Sequence, residues 1–209
     1  MLFEHDGRRP DIHATATIAA TAVVSGDVRI GRETRVLHGA VITAESGSVI
    51  VGERCIIMEQ AVLRGVKRHP LTVGSNVLVG PHAHLTGCDI ADNVFLATGS
   101  TVFNGARIGA GSTVRINGIV HLMTELPPDS TVPIGWVAVG QPASIMPTSE
   151  HDEIWAAQEP LKFPQRVFGV ERSKPGMSKM PELCSRYAKL LAGHDHDVLL
   201  PDRKEDETV

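Results

Sequence analysis

Branched apolar residues recur every six positions along most of this chain. The first run is Ile12, Ile18, Val24, Ile30, Val36 and Ile42. After "ESGS" it resumes at Val51, Ile57 and Leu63, and after "GVKRHP" at Val73, Val79 and Leu85. A last run holds Ile90, Leu96, Val102, Ile108, Val114 and Val120. A small residue or Cys often stands two positions earlier, as at Ala40, Cys55, Ala61, Ala83, Ser100, Ala106 and Ser112. Gly often follows directly, at positions 31, 52, 74, 80 and 109.

A period of six fits neither a helix nor an alternating strand. It fits a triangular coil in which each hexad makes one short strand and a corner, and three hexads complete a turn. The branched residue points inward, the small one fills the corner, and Gly supplies unusual backbone angles or close approach. The expected fold is an all-β solenoid, a parallel β-helix of hexapeptide repeats. Each coil buries its apolar residue only by stacking on its neighbours. Aromatic residues are 4% of the chain, in keeping with a narrow core of Val, Ile and Leu.

The character changes after "TELPPDSTVPIGWVAVGQPASIMP". The expected division is a solenoid over 1–145 and a helical tail over 146–209. "SEHDEIWAAQE" reads as a short helix with Ser149 as N-cap, Asp152 three residues on, and Pro160 as its stop. "SKMPELCSRYAKLLAG" reads as a second, with Ser178 as cap, Pro181 in the first turn and Gly193 at its end. Its stripe of Leu183, Tyr187, Leu190 and Leu191 must be buried on the solenoid or a neighbour. The final "PDRKEDETV" is charged and is expected to be disordered.

Bulk properties exclude some functions. Net charge is -4 with no basic block, which argues against nucleic acid. No apolar run approaches a membrane span. "MLFEHDGRRPDIHA" has no apolar core of the signal-peptide kind. Cys55, Cys88 and Cys184 are an odd number without CxxC spacing, read as reduced thiols. Together these point to the cytoplasm.

"RVLHGAVITAESGSVIVGERCIIMEQAVLRG", followed by "VGPHAHLTGCDIADNVFLATGS", resembles the γ-class carbonic anhydrases, which are left-handed β-helix proteins. The resemblance runs from Ile12 to Ile145 and is specific in "HGAV", "TGC" and the closing "GQPA". It implies a left-handed coil and a homotrimer with zinc held between subunits by three histidines. It also implies an Arg and an Asp at the interface and a Gln and an Asp lining the site. At the matching positions this chain has Thr43 for the Arg, Glu45 for the Asp, Met58 for the Gln and Glu59 for the second Asp. The ligand positions fall on Arg64, Pro81 and Thr86. Zinc needs about three His, Cys or carboxylate ligands for a catalytic site. Zinc is therefore not expected at the family site, and the sequence leaves the cofactor otherwise unknown.

The nearby histidines suggest a rearranged site. In "GPHAH", His82 and His84 would share one face of a strand, and His69 lies in the "VKRHP" loop. These three are the candidate metal ligands of a rebuilt carbonic anhydrase-type enzyme. The alternative is that they are polar residues satisfied at an interface or in solvent. Stacking places Thr43, Arg64, Thr86, Phe103 and His121 in one outward column and His38, Glu59, Pro81 and Thr98 in a neighbouring one, with Glu45, Met58 and His69 as further pocket candidates. That wall suits a small-molecule pocket at a subunit interface. Arg64 would bind an anion, and Glu59 or His84 would move a proton. A pairing of Arg64 with Glu45 or Glu59 is the structural alternative. Two further readings stay open. One is a coenzyme A-dependent acyltransferase with His84, His69 or His121 as base. The other is a structural trimer without chemistry.

Overall fold

The computed structural model describes residues 1–171 and 176–201. The chain winds as a left-handed parallel β-helix of about eight turns, and short strands from successive turns stack into three sheets. Face A carries Val23–Ser25, Val41–Ala44, Val62–Gly65, His84–Thr86, Thr101–Val102 and Ile119–Val120. The other two faces hold seven strands each.

Register explains the sequence period. Ile12 pairs with Ile30, and Val102 with Val120, so three hexads close one turn. The two insertions are absorbed without breaking the stack: Ile42 pairs with Leu63 and Leu63 with Leu85. Every branched residue of the series from Val24 to Val120 is buried, while Ile12 and Ile18 in the first turn are partly covered. The core continues beyond Val120 through Leu126, Val132 and Ala138. Burying a side chain of this size contributes roughly 1.5–3 kcal/mol each.

The glycines after the inward residues serve close approach. A Cβ on Gly52 would lie 2.5 Å from the Gly74 carbonyl oxygen, and one on Gly31 would lie 2.6 Å from that of Gly52. The left-handed backbone falls three residues after the inward residue, at Glu33, Arg54, Gln60, Asn76, His82, Asn93, Asn117 and Asp129. That placement corrects the expectation for "GPHAH". His82 sits exposed on a corner turn with φ 57°, outside the strand that begins at His84. The two imidazoles do not share a strand face.

The tail differs from expectation in detail. Helix α1 (His151–Gln158) begins after Glu150 without a side-chain cap, so Ser149 does not cap it. Pro160 lies in the 3-10 turn that follows. Helix α2 (Phe163–Phe168) was not anticipated. Helix α3 (Met180–Leu191) has Pro181 in its first turn and continues as a 3-10 turn over Ala192–His196 instead of stopping at Gly193. Lys179 is its N-cap residue, though the Ser178 hydroxyl accepts from the Met180 N–H at 3.2 Å. Its apolar stripe is only partly covered: Leu183, Tyr187 and Leu191 are half-buried, and Leu190 is exposed. Val198–Leu199 then pairs antiparallel with Leu2–Glu4 and extends face A. The charged end of the chain, 202–209, lies outside the described residues. Among the described residues no helix is long and apolar enough to cross a membrane.

Candidate functional site

Two places on face A gather polar chemistry. The first is the lower wall. Arg64 lies between Thr43 and Thr86 in the ladder, as stacking requires. Its Nε is 3.7 Å from Glu45 Oε2, and its Nη1 donates to the Tyr187 hydroxyl at 3.2 Å. Glu45 opens the "ESGS" insertion, and its side chain is 7% exposed. The chain's own tail thus covers this wall. Of the two pairings considered for Arg64, the structure forms the one with Glu45. Glu59 sits exposed on the corner turn, off the wall, and its carbonyl accepts from the His82 N–H at 3.1 Å. Arg64 and His84 lie close enough for the cation to act on the ring, and Glu59 forms no ion pair with Arg64 among the described residues. Met58 is half-buried beside Glu59.

His84 Nε2 is 2.9 Å from the Thr86 hydroxyl. Desolvation, then the Arg64 cation, lowers its pKa and keeps it neutral. His69 closes the second insertion through two backbone hydrogen bonds with Val66. Its pKa is also lowered, by desolvation first and by Arg166 and Arg68 next.

Sequence reasoning missed the partners of Glu45. His5 Nδ1 is 2.6 Å from Asp197 Oδ1, and His194 Nδ1 is 2.8 Å from Asp197 Oδ2. The two imidazoles stack with centroids 4.3 Å apart. The hydrogen bond to Asp197 raises the pKa of His194 above the usual histidine value. Burial works to raise that of Asp197, but hydrogen bonds from both histidines outweigh it and leave it lowered. The only signal for this cluster in the sequence was the alternation "HDHD" at 194–197.

The second place is a cleft of about 870 Å³ where α1, α2 and the turn between them meet the upper wall. Phe103, His121, Trp155 and Phe163 line it, with Glu159, Lys162 and Glu171 around them. Phe103 meets His121 at 5.7 Å between centroids and Phe163 edge-on at 5.9 Å. His121 Nδ1 is buried and has no hydrogen-bond partner among the described residues. Desolvation lowers the His121 pKa, so the ring is neutral near pH 7.

No protein-family model matches the chain. It is 32% identical to a Methanocaldococcus jannaschii protein named "Probable carbonic anhydrase", over 71% of this chain and 89% of that one. The chain belongs to the γ-class carbonic anhydrase family of hexapeptide-repeat proteins. A mitochondrial γ carbonic anhydrase of Arabidopsis thaliana is 29% identical over 80% of this chain, which spans 62% of that relative's length. A UDP-N-acetylglucosamine acyltransferase from Bacteroides fragilis shares the fold, with a TM-score of 0.54 and 15% identity over 94% of this chain and 91% of that one.

At the positions to which the sequence resemblance assigns the γ-class zinc ligands, the residues present do not suit that ion. Pro81 has no side-chain donor atom. Arg64 is a permanent cation already held by Glu45 and Tyr187. Thr86 offers a hydroxyl already engaged with His84.

Proposed function

We propose that this γ-carbonic-anhydrase-like protein carries no zinc at the positions its family uses. In its place it binds an organic small molecule in the cleft of Phe103, His121, Trp155 and Phe163. The observation that carries this reading is an aromatic-lined cavity with His121 in its wall, a ring whose Nδ1 is buried without a hydrogen-bond partner among the described residues. A pocket that is mostly apolar with a few convergent polar groups is the usual build of a small-molecule site. The ligand would present a flat or short apolar group to the rings and one hydrogen-bonding group to His121. The chain assembles as a homotrimer in this reading, with the lower wall closed by its own tail.

A second reading is favoured by the neutrality of His121. A desolvated imidazole with a free ring nitrogen is suited to accept a proton from a nucleophile. It would act as the base of acyl transfer from coenzyme A, taking the proton of an acceptor hydroxyl or amine as the acyl bond to sulfur breaks.

Thermal shift with acetyl-coenzyme A and with small aromatic carboxylates tests both readings. Ligands of either class that raise the melting temperature of the native protein, but not of His121→Ala, support the cleft. Acetyl-coenzyme A alone doing so selects the acyl-transfer reading. No shift by either class at about 1 mM rejects both. Carbon dioxide hydration by zinc-supplemented protein is expected to stay at the buffer rate, and zinc-dependent catalysis that persists in His194→Ala would overturn the first statement.

A further inference from the structure

We infer that His5, His194 and Asp197 form a divalent transition-metal site that clasps the tail to the first turns of the solenoid. Among the described residues they are the group of three whose ligand atoms lie within 4.8 Å of one another. Hydrogen-bond donors run short within this cluster. Each of the four ring nitrogens faces an oxygen that can only accept. The two Nδ1 atoms face the Asp197 carboxylate at 2.6 and 2.8 Å. His5 Nε2 faces the Glu45 carbonyl oxygen at 3.2 Å, with the exposed Asp6 carboxylate 3.9 Å away. His194 Nε2 faces Glu45 Oε1 at 3.4 Å, an ion-pair distance without hydrogen-bond geometry.

A neutral imidazole has one N–H to donate. Two neutral rings supply two protons for four acceptors, so two lone pairs would face oxygen lone pairs. Two extra protons would cure this, but they would stack two cations 4.3 Å apart, close to the third cation, Arg64. A single divalent ion cures it with both rings left neutral. With His5 Nε2–H donating to the Glu45 carbonyl and His194 Nε2–H turned toward the Glu45 carboxylate, both Nδ1 atoms and one Asp197 oxygen become ligands. That is the arrangement metal-bound histidines adopt, in which the far nitrogen donates to a carbonyl or carboxylate and so sets the tautomer.

The two rings, stacked at 24° to one another, must tilt so that both Nδ1 lone pairs point at one ion. Metal–ligand distances of about 2.0–2.2 Å require the Nδ1-to-oxygen gaps to open by roughly half an ångström. His5 is 6% exposed and Asp197 18%, whereas His194 is 33% exposed on its side chain, which leaves room for a water as fourth ligand. Two imidazoles and one carboxylate suit Zn²⁺, Fe²⁺ or Co²⁺ rather than Ca²⁺ or Mg²⁺. The site uses none of the positions at which the family holds zinc, so its failure would leave the cleft reading untouched.

The test is titration of chelator-treated full-length protein with Zn²⁺, and with Co²⁺ as a spectroscopic probe. The expected result is one ion per chain. Affinity should fall roughly tenfold or more in His5→Ala, His194→Ala and Asp197→Asn. It should be unchanged in His82→Ala/His84→Ala. Binding at full strength in the first three, or its loss in the double variant, overturns the inference, as does no binding at about 1 mM ion. Asp197→Asn keeps the size and one accepting oxygen, so an unchanged metal-free melting point separates lost ligation from lost folding. X-ray absorption on the wild-type zinc complex gives a reading independent of variants. Two imidazoles with oxygen ligands are expected, and sulfur ligation overturns the site.

Discussion

Replacing Arg64 by Met should expose how strongly Glu45 depends on it. Met keeps the aliphatic volume of the arginine stem, so the loss is chiefly of charge. At 3.7 Å, the attraction is about 4–5 kcal/mol at an effective dielectric of 20. Two features reduce that gross value. Arg64 is 33% exposed, so solvent screens it, and its Nε makes no hydrogen bond to the carboxylate. Glu45, however, is 7% exposed and cannot recover its hydration. Removing one partner of a fully buried pair costs about 3–5 kcal/mol, and of an exposed pair about 0–1. This pair lies between, and Arg64→Met is expected to cost about 2 kcal/mol. In a Glu45→Gln background the same change should cost about 1 kcal/mol or less, because no buried charge is stranded. Urea unfolding of the four proteins, in chelator to remove metal stabilisation, measures the cycle. If Arg64→Met costs the same in both backgrounds, the ion pair is not what holds Arg64, and Tyr187 with simple packing must do so.

Two other outcomes follow from the coil. Gly52→Ala should destabilise by about 1–3 kcal/mol or more in urea unfolding, since its Cβ would lie 2.5 Å from a backbone oxygen that the next turn cannot move; Gly7→Ala, with open space around it but φ of 71°, should cost about 1 kcal/mol or less. Thiol titration of the native protein at pH 8 should detect Cys184 alone, because Cys55 and Cys88 are buried and burial pushes both thiols up; denaturant should release all three. Rapid reaction of a second thiol in the native state would mean the coil opens readily.

The solenoid was legible because its information is local and repeated. A hexad such as that ending at Leu85 states where its side chains point without reference to distant residues, and each turn repeats the statement. The outward column of Thr43, Arg64, Thr86, Phe103 and His121 followed from the same periodicity, and the ladder register agrees with it. The pair of His82 and His84 was misread for an equally local reason. Alternation holds only within a strand, and the left-handed corner at His82 resets it. The helix starts were misplaced because Ser149 offered a capping hydroxyl that the backbone enters too late to use.

What the sequence by itself determined is the period, and with it the fold, the core and the composition of the wall. Tertiary structure alone decided what covers that wall. His5 and Asp197 are separated by 192 positions, and Arg64 and Tyr187 by 123. No repeat or motif links such residues. They meet because the tail returns along face A and pairs its last strand with the first, and the direction of that return depends on packing summed over the whole surface. A sequence states local geometry well, since backbone sterics act between neighbours. It does not state which distant acceptor a buried imidazole will face, and on that the chemistry of this wall depends.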